Sequence, residues 1–168
     1  MSMTKDNIVT LPEPNLRKKS VRIGVITSDV KKLIADMKAA TIDWENTRDH
    51  EAAVGLAAIQ VNKLYRVFIV RNNFEDTEDQ SFTAFINPEI VKSFGPIEED
   101  FDGQEFRVTA HDYLARILQH EIDHTQGVVI IDHIKEKKDA FYRLMPEGGL
   151  EPLDYEKDIK NNSILWGE

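Results

Sequence analysis

Val30, Leu33, Ile34, Met37, Thr41 and Trp44 recur at helical spacing and predict a helix capped by Ser28 or Asp29. The period then changes. Residues 54–60 form a small-residue, mostly apolar run that reads as a buried strand and turn. Residues 66–70 and 83–87 are rich in β-branched and aromatic side chains, predicting two strands separated by a charged turn over 72–79. Pro88 marks an edge or kink before 90–93 resumes the strand. Residues 95–103 are acidic and irregular, and 106–108 predict a short strand. Tyr113, Leu114, Ile117, Leu118 and Ile122 restore the helical period. With Thr109 and Asp112 as a start signal and Gly127 as a stop, they predict a helix over 110–126. Beyond it, 128–131 reads as a brief buried strand, 135–144 as an amphipathic helix and 148–168 as a C-terminal extension. The 168 residues contain no repeat or linker, which predicts one α+β domain with antiparallel or mixed sheets packed around a central helix.

Composition narrows the chemistry. There is no Cys, which removes disulfides, thiolate nucleophiles and thiolate metal ligands. The net charge of −9 is opposite in sign to the footprint of a nucleic-acid binder, and the Arg17-Lys18-Lys19 cluster is too short to reverse it. No window approaches the length of a membrane span, so a cytoplasmic protein is expected.

His120, Glu121, Ile122, Asp123 and His124 spell H-E-x-x-H inside the second predicted helix. Positions i and i+4 share a face, so two imidazoles can hold one metal ion while Glu121 stays free to carry a proton. Composition alone would produce the pattern in roughly one shuffled chain in 80, so its context has to decide. Tyr113 and Ile117, seven and three residues before His120, fall on the same face and would line an apolar cleft or simply pack the core. Asp123 points off that face and is expected to orient a neighbour. His50, His111 and His133 have no ligand spacing to another His.

Two segments together resemble the peptide deformylases. They are Gly55-Leu56-Ala57-Ala58-x-Gln60, with Ala53 where that family's pattern has its first Gly, and His120-Glu121-x-Asp123-His124 followed by Gly127. Phe85-Ile86-Asn87-Pro88 and Leu114-Ala115-Arg116 are also similar to it, so the likeness runs from about residue 8 to 134. The resemblance implies removal of the formyl group from the N-terminal formyl-methionine of nascent chains, met at the ribosome. It implies one divalent metal, usually Fe2+ and replaceable by Zn2+, Ni2+ or Co2+, held by His120 and His124. Glu121 would be the proton carrier and Gln60 an oxyanion donor, with Val54, Gly55 and Leu56 as the edge along which the peptide lies.

The family's third motif, Glu-Gly-Cys-Leu-Ser, has no counterpart, and its Cys is a metal ligand. Residues 98–104 read Glu-Glu-Asp-Phe-Asp-Gly-Gln, as though a segment were missing near 100–101, in which case strands ending near Asp100 and beginning near Phe101 would face a gap. In a continuous chain, Glu98, Glu99, Asp100 or Asp102 is the available third ligand. Two alternatives stay open. One is a catalytically impaired relative that only binds peptides, and the other a zinc peptidase using Glu147 or Glu151 as its third ligand.

Overall fold

The computed structural model describes residues 2–47, 53–73, 76, 78–90, 98–99, 105–106, 108–144 and 149–166. At its centre is an antiparallel sheet ordered β1 (Gly55–Ala57), β2 (Val67–Arg71), β3 (Phe82–Ile86). Helix α1 (Ser28–Glu45) covers one face and α2 (Asp112–Thr125) the other. Side chains alternate across a strand, so Val67 and Ile69 of β2 pack with Val30, Leu33, Ile34 and Met37 of α1, while Phe68 and Val70 pack with Ile117 of α2. Each such burial stabilises by about 1.5–3 kcal/mol, so β2 is the strand that fastens both helices to one sheet. The architecture is α+β, as the alternation of periods predicted.

The ends of the helices were less legible. Thr27 caps α1, its hydroxyl oxygen accepting from Val30 N at 3.4 Å, and Ser28 and Asp29 lie inside the first turn. Helix α2 starts at Asp112 with His111 in the cap position, and the Thr109–Asp112 pairing does not form. Asp112 sits in left-handed backbone (φ 51), which bends the entering chain away from the geometry such a box requires. Gly127 ends α2 as expected, at φ 77 with its N–H donating to His124 O at 3.1 Å.

Two downstream expectations are overturned. Instead of a strand over 128–131, Val129 is extended and α3 (Ile130–His133) follows, because Asp132 accepts from Val129 N at 2.8 Å and pairs with Arg17. Instead of a helix over 135–144 there is a 3-10 turn and then β6 (Tyr142–Leu144), paired antiparallel with β7 (Leu150–Pro152). That pairing satisfies the strand's backbone, and Phe141 is buried beside the ring of Trp166. The C-terminal extension is thereby docked, with Trp166 Nε1 donating to Ile159 O at 2.7 Å. Further upstream, β4 (Glu98–Glu99) and β5 (Glu105–Phe106) pair antiparallel. The junction at 100–101, and the resumed strand over 91–93, lie outside the described residues. Among those described, no helix is long and apolar enough to cross a membrane.

Candidate active site

Helix α2 delivers the H-E-x-x-H side chains as its periodicity requires. His120 Nε2 and His124 Nε2 converge to 3.1 Å with their rings edge to face, a spacing at which two neutral imidazoles can share one ion. The pair is asymmetric. His124 is buried, whereas His120 stands at the more open end of the pair. Burial, helped by His120, pushes His124 down to about 4, and partial desolvation of its ring lowers His120 as well. Both rings are therefore neutral and able to act as ligands at pH 7.

Glu121 lies on the buried side of the same helix, 3% exposed, with Oε2 lacking a hydrogen-bond partner. Burial pushes its carboxyl up to about 8. A buried acid with an unused oxygen is a group placed to exchange a proton. It also carries a stability signature. The raised pKa favours the neutral carboxyl in the fold, so this stabilisation is complete below about pH 4.5 and is lost as pH rises towards 8. His124 is neutral in both folded and unfolded chains above pH 6.5, leaving Glu121 to set the trend there. Metal-stripped protein should lose about 2 kcal/mol of stability between pH 6.5 and 8, and Glu121→Gln should abolish that slope in denaturant titrations. Equal slopes in the two proteins would contradict the burial of an ionisable group here.

The sheet supplies the facing wall. A Cβ built on Gly55 would lie 2.5 Å from Glu121 Oε1, so only glycine lets β1 approach the carboxyl this closely. Gly55→Ala should displace Glu121 and lower turnover roughly 10- to 100-fold without altering metal content. Wild-type turnover in that variant would mean that the contact is slack. Val54 gives its carbonyl to Arg71 N at 3.0 Å, so the adjacent rung, Gly55, turns its own amide and carbonyl to the other edge of β1. Among the described residues no strand pairs with that edge. After Ala57 the chain turns into a 3-10 turn (Ala58–Val61), and Gln60 Oε1 accepts from Ala57 N at 2.8 Å, which leaves its NH2 as the donor end.

The polypeptide deformylase family model matches residues 5–99 and 98–140 of this chain. The chain belongs to the peptide deformylase family. It is a metal-dependent hydrolase that removes the formyl group from the N-terminal formyl-methionine of nascent proteins. A peptide deformylase of Thermomicrobium roseum is 30% identical over 83% of this chain and 92% of its own length. One from Thermodesulfovibrio yellowstonii is 34% identical over 79% and 90%. The crystal structure of a Legionella pneumophila peptide deformylase superposes with a TM-score of 0.65 at 26% identity, covering 78% of this chain and 85% of that one.

The two family matches meet at Glu98–Glu99, beside the expected discontinuity. The Thermomicrobium alignment is 168 positions long yet draws on 83% of this chain, so a segment of that relative has no counterpart here. The consequence falls on the metal. Two imidazoles of this deformylase fit half of a catalytic centre, and among the described residues no group of three His, Asp or Glu completes it. The side chains of Glu98, Glu99, Asp100 and Asp102, and residue Glu147, lie outside the described residues; Glu151 is exposed and pairs with Arg143.

Of the remaining expected site residues, Ile117 is buried in the cluster that holds α2 to the sheet, and Tyr113 stands 49% exposed. Leu56 is buried against α1, so the backbone of β1 is what reaches the open edge. Asp123 accepts from His133 Nε2 at 2.7 Å, an orienting contact as expected. Sequence reasoning assigned nothing to Arg71 or Glu45, which hold the start of β1 through contacts from distant parts of the chain.

Proposed function

We propose that His120 and His124 hold the divalent ion, Fe2+ in the cell and replaceable by Zn2+, Ni2+ or Co2+, with Glu121 and Gln60 performing the proton and oxyanion steps. The observation that carries this reading is the convergence of the two Nε2 atoms at 3.1 Å beside a buried, unpartnered carboxyl and an open strand edge. When bound, the ion supplies a lowered pKa for water and polarisation of the formyl oxygen. With the positive charge of a bound ion beside it, the Glu121 carboxyl is drawn back to its ionised form, in which it accepts the proton of the attacking water and returns it to the departing amine. Gln60 donates its NH2 to the formyl oxygen as negative charge builds there, while its own Oε1 is anchored on Ala57.

The substrate enters as an added strand on β1, with formyl-methionine opposite Gly55 and the following residues running towards Val54. In the absence of any cysteine, a carboxylate from Glu98, Glu99, Asp100 or Asp102 completes the ligand set, and two imidazoles with one carboxylate suit Fe2+ or Zn2+. The chain is one catalytic domain over 1–168 that meets its substrates at the ribosome in the cytoplasm. The test is hydrolysis of formyl-Met-Ala-Ser by protein loaded with one ion per chain. Actinonin, the ligand of an Ehrlichia chaffeensis peptide deformylase that is 25% identical, should compete. Stoichiometric metal with neither turnover nor actinonin binding would refute the assignment and favour the impaired, peptide-binding alternative.

A further inference from the structure

Ala53 lies two residues before β1, next after Gly55 in the alternation of backbone groups away from β2, and both of its backbone groups are occupied. Its N–H donates to Glu45 Oε1 at 2.8 Å and its C=O accepts from Arg71 Nε at 3.3 Å. Glu45 Oε2 and Arg71 Nη2 form an ion pair, and Arg71 Nη1 donates to Asp79 O. Arg71 is fully buried, with its guanidinium 4.9 Å from the centre of the Phe82 ring. A buried guanidinium bonded to a carboxylate and two carbonyls is locked in place, because breaking one contact would leave a desolvated charge unpaired.

The placement matters for direction. A peptide leaving the site cannot run past Ala57, where the chain turns and Gln60 O already accepts from Val9 N at 2.8 Å. It must run antiparallel towards Val54 and Ala53. On the reading that Gly55 faces the formylated residue, we infer that Glu45 and Arg71 form a clamp that ends the substrate-pairing edge at Ala53. Recognition by strand pairing is thereby confined to formyl-methionine and the residue after it. The third residue comes level with Ala53 and finds its donor and acceptor taken, so longer peptides gain no further backbone bonds. Glu45 and Arg71 are specificity-determining residues that act through Ala53 and touch no reacting atom.

The test compares formyl-Met-Ala, formyl-Met-Ala-Ser and a formylated pentapeptide on the metal-loaded full chain. Wild type should show kcat/KM values within about 2-fold of each other. Glu45→Leu/Arg71→Met removes both charges while keeping their apolar bulk, and should raise the ratio of longer to shorter peptide about 3- to 10-fold, the worth of one backbone pair. Glu45→Gln keeps the acceptor for Ala53 and should restore the flat profile. Calorimetric binding of the same peptides reads the same ratio, and amide exchange at Ala53 in wild type should be slow before peptide is added. A rising length series in wild type, or a fast-exchanging Ala53 amide, overturns the clamp while leaving the catalytic reading intact, even if the double variant does not fold. A folded double variant with a flat series also overturns it. Wild type that binds no formyl peptide overturns the catalytic reading and the clamp together.

Discussion

Glu121→Gln should abolish deformylation of formyl-Met-Ala-Ser, by about 100- to 10,000-fold in kcat, while the protein keeps its metal. Glutamine preserves the shape of the side chain beside Gly55 but cannot accept a proton, so the change removes one chemical step and leaves the two imidazoles untouched. The burial of Glu121 sharpens the expectation. Asp123, the other carboxyl that acts on His120, is engaged with His133, and solvent is excluded from the Glu121 side chain, which is 3% exposed. Metal analysis and turnover on the same sample decide the matter. Retained turnover would assign the proton to another group, and lost metal would mean that Glu121 is itself a ligand.

His124→Ala should be more severe for the ion. The imidazole is buried and held neutral, so its lone pair is available to metal at any pH above about 4. With no thiolate in the chain, the proposed centre would rest on two imidazoles and at most weaker oxygen donors, and removing one would leave too few ligands to retain an ion through dialysis. Affinity should fall by more than ~100-fold, since loss of even a supporting hydrogen bond around a metal ligand costs ~10- to 100-fold. Turnover should fall to the uncatalysed background with it. Elemental analysis after dialysis against a chelator provides the measurement; unchanged retention would place the ion elsewhere.

The sequence by itself determined the α+β class with its two long helices and its strands, and the pairing of His120 with His124. Each of these is a periodicity that one segment carries alone. Val67–Arg71 is buried at every position, which is why its β-branched and aromatic run announces a strand, and positions four apart on a helix must meet wherever that helix packs. The failures have a common cause. Residues 135–144 carry an amphipathic pattern short enough to serve either period, and only the presence of β7 made Tyr142–Leu144 a strand. Val129 and α3 were settled by Asp132 finding Arg17, 115 residues away. The start of α2 turned on a left-handed Asp112 that no local preference announces.

The chemistry divides in the same way. Ligand spacing is local, but the raised pKa of Glu121 exists only because the fold closes over it and presses Gly55 against its carboxyl. Arg71 looked like the charged end of a strand until the fold buried it against Glu45 and Ala53, partners 26 and 18 residues away. Burial and desolvation belong to the assembled chain rather than to any segment, and they give ordinary side chains the properties that the proposed proton carrier and clamp require.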